Sequence, residues 1–122
     1  MLKEASPTLR VADMRRALAF YEGQLGFRCA FKVHDDLHPE IPYAIVQRDR
    51  VAIHLQLSKA AGASGCYITV DEVDALYAEF ERAGVTIARP IEDSSYGMRD
   101  FNVTDADGNI LGFGQTIEGH QG

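Results

Sequence analysis

The chain has 122 residues, 46% of them hydrophobic and 25% charged, values that fit one globular domain burying about two-thirds of its unfolded surface. Eighteen acidic against 12 basic residues leave a net charge of −6, which repels a polyphosphate and sets nucleic acid aside as a partner. No apolar run approaches the roughly 18 residues of a membrane span, Met1 to Pro7 lacks the apolar stretch of a signal peptide, and Cys29 and Cys66 lie far apart without CxxC spacing, so a cytoplasmic protein with two reduced thiols is expected.

In chain order, Leu9-Arg10-Val11 reads as a strand that runs into Asp13. Met14, Ala17, Leu18, Tyr21 and Leu25 then recur at helical spacing until Gly26 closes the helix in a left-handed C-cap. Arg28 to Val33 has room for a second strand. The stretch His34-Asp35-Asp36-Leu37-His38-Pro39-Glu40 holds several potential ligands, but no regular element fixes them, and a loop at the rim is expected. Tyr43 to Gln47 and Val51 to Leu57 form a hairpin about Asp49-Arg50. Ala60 to Ser64 are small and are expected to be a flexible link.

The pattern then repeats. Tyr67 to Val70 reads as a strand, Asp71 can cap a helix carrying the stripe Val73, Leu76, Tyr77 and Phe80, and Gly84 ends it. Thr86 to Arg89 leaves room for a strand, and Phe101 to Thr104 and Ile110 to Gln115 form a hairpin about Asp107-Gly108. The helices match at an offset of 59 residues (Met14 to Val73) and the hairpins at 58 (Asp49 to Asp107). The chain therefore reads as an α+β fold of two tandem βαβββ modules, about 1–59 and about 65–117, in a single domain over 1–122.

Alternation divides each strand into two sets. Leu9, Val11, Ile53, Leu55, Leu57, Cys66, Ile68, Val70, Phe101, Val103, Leu111 and Phe113 are apolar and suit a core beneath the helices. The opposite sets are small, polar or aromatic: Ser6, Thr8 and Arg10; Ala52, His54 and Gln56; Gly65, Tyr67 and Thr69; Asp100, Asn102 and Thr104; Gly112 and Gly114. Glycines there leave space, which suits a ligand cavity. A solvated outer sheet face is the alternative that pattern alone leaves open.

Leu9-Arg10-Val11-Ala12-Asp13-Met14, Phe20-Tyr21, Leu25-Gly26-Phe27, and above all Tyr96-Gly97-Met98-Arg99-Asp100-Phe101 with Asp105-Ala106-Asp107-Gly108-Asn109 resemble the vicinal oxygen chelate superfamily. Within it the chain is most similar to glyoxalase/bleomycin resistance proteins. The resemblance covers nearly the whole chain. It implies paired βαβββ units in a curved mixed sheet with a concave cleft, helices on the convex face, and a homodimer. It also implies a habit of exchanging the N-terminal strand about a proline, here Pro7.

Metal-dependent members of that superfamily place His, Glu or Gln at four strand positions, which the repeat carries here to Ser6, His54, Gly65 and Gly112. Glycine offers no ligand and a serine hydroxyl is a weak one, so no metal and no cofactor is expected. Asp105-Ala106-Asp107-Gly108-Asn109 has its glycine two places early for a calcium loop and reads as a hairpin turn. No phosphate-binding glycine loop, Gly-x-Ser-x-Gly elbow or Cys/His nucleophile pair is present.

The expected function is sequestration of a small organic ligand of cationic aromatic type, as in antibiotic resistance. Phe31, Tyr67 and Tyr96 are the candidate stacking surfaces, and Tyr96 stands where resistance proteins often have tryptophan. His54, Gln56, Asp100 and Asn102 complete the expected ligand-binding set. Asp35, Asp36, Glu40, Glu92, Asp93 and Asp100 are the candidate sources of negative charge. The competing class is a glyoxalase-like lyase, isomerase or dioxygenase that uses either His54 as acid/base or a metal bound through residues assigned here to loops.

Overall fold

The computed structural model describes residues 1–34 and 39–117. Within them the order is β1 (Thr8–Val11), α1 (Met14–Gly23), β2 (Arg28–Lys32), β3 (Tyr43–Arg48), β4 (Val51–Leu57), β5 (Gly65–Thr69), α2 (Val73–Arg82), β6 (Ile87–Asp93), β7 (Met98–Thr104) and β8 (Ile110–Thr116). The βαβββ order occurs twice, as expected for the α+β class. Each copy forms its own four-stranded sheet, β1-β4-β3-β2 and β5-β8-β7-β6. In both sheets the first and last strands pair parallel and the other neighbours antiparallel. No helix among the described residues is long and apolar enough to cross a membrane.

The two helices start by different means. Asp13 has extended backbone and its side chain accepts from the Arg16 N–H at 3.1 Å, an N-cap of the kind worth about 1 kcal/mol. At α2 the expected cap, Asp71, is not used. Glu72 holds the cap position without a side-chain bond, and Gln115 Oε1, reaching across from β8, accepts from the Val73 N–H at 3.0 Å. Gly26 and Gly84, with φ of 75° and 77°, turn the chain out of the helices in a conformation that a side chain disfavours.

The helix-facing strand positions bury as alternation requires. Leu9, Val11, Ile53, Leu55, Ile68, Phe101, Val103, Leu111 and Phe113 are buried, while Leu57, Cys66 and Val70 are only partly so. Tyr21 and Phe80, equivalent positions of the two helices, are fully buried. Phe80 packs edge-on against Phe101 and Phe113 with centroids 6.0 and 5.2 Å away. Burial also pushes up the pKa of the Cys66 thiol.

One turn ties the halves together. Asp105 Oδ1 accepts the N–H groups of Asp107 and Asn109, both at 2.9 Å, while its Oδ2 accepts the Tyr21 hydroxyl at 3.0 Å and Asn109 Nδ2 at 2.9 Å. Asn109 Nδ2 also donates to the Arg10 carbonyl, and Asp107 Oδ1 accepts from the Ala12 N–H and Arg16. The link between the modules is fixed by the same turn rather than flexible. Gly62 donates to the Arg10 carbonyl, and a Cβ there would lie 2.3 Å from the Asp107 oxygen. On another side Arg48 forks onto Glu79 at 2.6 and 2.9 Å.

Candidate ligand-binding site

The sheet faces turned away from the helices carry the residues that sequence alternation set apart. On the first sheet, Thr8, His54, Ile45 and Phe31 form one row across four strands, and Arg10, Gln56 and Tyr43 form the next. On the second, Tyr67, Gly112, Asn102 and Arg89 form a row beside Thr69, Gly114, Asp100 and Glu92. The predicted residues thus fall into two groups. Tyr67, Tyr96, Asp100 and Asn102 come together on the second sheet, while His54, Gln56 and Phe31 share the first.

Asp100 is the centre of the second group. It is fully buried, and both oxygens are saturated. Oδ1 accepts from Arg89 Nη2 at 2.6 Å and Ser94 Oγ at 2.8 Å. Oδ2 accepts from the Tyr67 hydroxyl at 2.8 Å and from the Tyr96 hydroxyl. Burial works against the charged carboxyl, but the bonds from Tyr96, Ser94, Tyr67 and Arg89 outweigh it and hold its pKa at about 2. Burial, and then the Asp100 hydrogen bond, push the Tyr67 phenol upward, so it stays a donor.

Four donors therefore use all the lone-pair directions of one carboxylate, and none is left for a ligand cation. Glu92 and Asp93 are likewise bonded to Arg89 and Arg99. Of the other carboxylates expected to attract a cation, Glu40 is exposed, and Asp35 and Asp36 lie outside the described residues.

The glycines of β8 serve Tyr67 rather than an open void. Its ring lies over Gly112 and Gly114 on the way to Asp100. A Cβ at Gly112 would come within 2.9 Å of the ring, and one at Gly114 within 1.8 Å of the hydroxyl. Tyr96 is turned back toward the same carboxylate by the tight bend at Gly97, where φ is 84°. Two phenol rings, both more than 40% exposed, are thus fixed by their hydroxyl ends, Tyr67 lying with one side against β8. Gly114→Ala should displace Tyr67 and remove its bond to Asp100 without unfolding the chain. Far-UV circular dichroism should be unchanged and the near-UV tyrosine band altered; an unaltered near-UV band would show that the ring does not lie over β8.

On the first sheet the His54 Nδ1 is hydrogen-bonded to the Tyr43 hydroxyl, with the rings edge-on and centroids 5.6 Å apart. Phe31 and Ile45 adjoin them, Phe31 being 53% exposed. Tyr43 and Arg89 are the functional candidates that sequence reasoning missed. The alternation of Tyr43 and Ile45 against buried Ala44 and Val46 carried the signal for the first. Two register shifts in β6 hid the second.

The donor set does not fit the family's metal position. Gly112 is covered by the Tyr67 ring and a side chain at position 65 would collide with the Ile110 carbonyl at 2.4 Å, so neither position can supply a ligand and His54 stands without them. Among the described residues no three His, Cys, Asp or Glu side chains are grouped to hold an ion.

Hollows mark the surface among the described residues. One of about 490 Å³ lies beside Tyr67, Asn102 and Ile110 at the end of the second open face. A larger one of about 680 Å³ opens between the modules, lined by Arg48, Asp71, Glu79, Phe80 and Phe113 among others, and contains none of the predicted site residues. The open faces carry the candidate aromatic residues, and neither face is enclosed within one chain.

Residues 5–113 match the family described as the Glyoxalase/Bleomycin resistance protein/Dioxygenase superfamily. A bleomycin resistance protein of Geobacillus stearothermophilus is 27% identical, the match covering 94% of this chain and 98% of that one. Among solved structures, the bleomycin-binding protein of bleomycin-producing Streptomyces verticillus, complexed with copper(II)-bleomycin, is 27% identical with a TM-score of 0.75 over 96% of this chain and 98% of that one. A glyoxalase-related enzyme of Clostridium phytofermentans shares the fold, with a TM-score of 0.80 at 23% identity over 96% of this chain and 97% of that one. With its matched segment, its repeated βαβββ units and its Asp105-to-Asn109 turn all in agreement, the chain belongs to the glyoxalase/bleomycin resistance protein/dioxygenase superfamily.

Proposed function

We propose that the protein is a metal-free binder that sequesters a small planar organic ligand in a cleft between the open faces of two copies, inside the cell. The observation that carries this reading is the pair Tyr67 and Tyr96, anchored by buried Asp100 and still partly exposed. Rigid aromatic faces provide stacking worth about 0.5–1.5 kcal/mol per pair beyond area burial. They also lose little entropy on binding because the hydroxyl ends are already held. The copper(II)-bleomycin held by the Streptomyces verticillus protein makes bleomycin the first compound to try.

A homodimer is supported by what one chain leaves uncovered. Phe31, Tyr67 and Ile110 are exposed large hydrophobic groups at open-face positions, and covering them with a second copy would join the two faces into one site. In this structure β1 pairs with β4 of the same chain, and the Pro7 carbonyl accepts the His54 N–H at 2.9 Å. Strand exchange about Pro7 would make the same pairing from a partner.

Calorimetric titration with bleomycin at micromolar protein tests that ligand, and absence of heat removes it. Light scattering should report twice the 13.4 kDa of the chain. A stoichiometric transition metal in elemental analysis would count against the metal-free reading. The hydrogen-bonded Tyr43–His54 pair favours a second reading, a lyase or isomerase in which His54 moves a proton. Turnover lost in a His54→Gln variant would support it.

A further inference from the structure

We propose that the ligand is an aromatic anion, a planar ring system bearing a carboxylate or an equivalent single negative charge, with Arg10 as the group that receives that charge. The inference rests on the binding reading above and adds the sign of the ligand to it.

The charges at open-face strand positions are few and can be followed one by one. The carboxylates there are Asp100 and Glu92. Asp100 is buried with both oxygens saturated, and Glu92 is ion-paired to Arg89 at 2.9 Å. Asp100 offers no free lone pair to an ammonium group, and Glu92 already has Arg89 as its counter-ion.

The cations are Arg10, Arg28 and Arg89. Arg89 is spent on Asp100 and Glu92. Arg10 and Arg28 are exposed, and among the described residues their side chains enter no hydrogen bond or ion pair. In a chain of net charge −6, the open face of the first sheet therefore presents two unpaired arginines and no carboxylate at its strand positions, while on the second face one guanidinium serves two carboxylates.

Arg10 is the better placed of the two arginines. It pairs across β1 and β4 with Gln56, an exposed amide that makes no side-chain bond among the described residues, and Tyr43 is the next residue of that row. A guanidinium fork beside a free amide N–H suits a planar carboxylate. The strand spacing of about 4.8 Å puts Tyr43 and its partner His54 within the length of a fused two-ring aromatic whose acid group sits on Arg10. Arg28 stands beside Gln47 instead, whose amide is already committed to the Asp49 carbonyl at 3.2 Å.

The test uses three ligands with one ring system: 2-naphthoate, 2-naphthylmethanol and 2-naphthylmethylammonium, titrated by fluorescence into the full chain and into Arg10→Gln. The expected result is that naphthoate binds the wild type about tenfold more tightly than the ammonium compound, with the alcohol between them. The difference should shrink as salt rises, because a partly exposed pair is screened. In Arg10→Gln, naphthoate should fall to the affinity of the alcohol while the alcohol itself is unchanged. Arg10 is exposed, so the variant should fold, and its unaltered affinity for the alcohol checks this directly. Equal or tighter binding of the ammonium compound, or an anion preference that survives Arg10→Gln, overturns the inference and leaves the binding reading intact. Failure of all three to bind the wild type overturns both.

Discussion

An Asp105→Ala variant is expected to lose about 3–5 kcal/mol of stability, a large share of the roughly 5–15 kcal/mol that keeps a domain folded. The loss follows from how many donors one carboxylate serves. Its removal strands the buried Tyr21 hydroxyl, two backbone N–H groups and the Asn109 amide. Leaving a buried donor unsatisfied costs about 1–3 kcal/mol, and water entering the gap recovers part of that sum. Tyr21→Phe removes one donor and one bond, so it should cost only about 1 kcal/mol. Urea unfolding of the three proteins measures both differences, and an Asp105→Ala cost below that of Tyr21→Phe would show that the turn does not lock the halves.

The second large effect is at Asp100, and it depends on pH. The carboxyl titrates at about 2 in the folded chain against an ordinary value of 3.8. A group lowered by folding stabilises fully above its unfolded pKa, and that stability is lost as pH falls through the folded value. The window is therefore from about pH 4 down to about pH 2, and the shift is worth roughly 2 kcal/mol. Asp100→Asn keeps the shape, but its NH₂ faces groups that are themselves donors. It should be about 2–3 kcal/mol less stable than wild type at pH 7, and the gap should narrow toward pH 2. A gap that stays constant between pH 4 and pH 2 would deny Asp100 this role. Because the amide keeps one acceptor oxygen where the carboxylate had two, the phenols are held less firmly, and affinity for the ligand should also drop at neutral pH, in a variant still folded there.

Much of the fold was legible because burial imposes a period. Met14, Ala17, Leu18 and Tyr21 had to share one helix face, and Ile53 and Leu55 one sheet face, so both halves declared their order of elements. Alternation also put Asp100, Tyr67, His54 and Gln56 on the open faces correctly. It could not show that Asp100 is buried there, since the cover comes from Tyr67 on β5, Tyr96 in the β6–β7 bend and Arg89 on β6, three segments whose convergence is a tertiary fact. The space read into Gly112 and Gly114 was real, but a ring of the same chain occupies it. Asp71 was a sound cap by local rules, yet Gln115, distant in sequence, took the role. Each difference has one cause: short-range pattern fixes direction, and long-range contact decides occupancy.

The clasp between Tyr21 and Asp105 spans 84 positions of the chain. At a synthesis rate of about 5–20 residues per second, Tyr21 leaves the ribosome on the order of ten seconds before its acceptor exists. Throughout that interval the nascent first half has an apolar helix face and a phenol with nothing to donate to. Ribosome-stalled chains ending before Asp105 should consequently be cut readily by protease, and chains extended past Ile117 with a linker should resist. Equal resistance of the two would mean that the first half closes without its clasp.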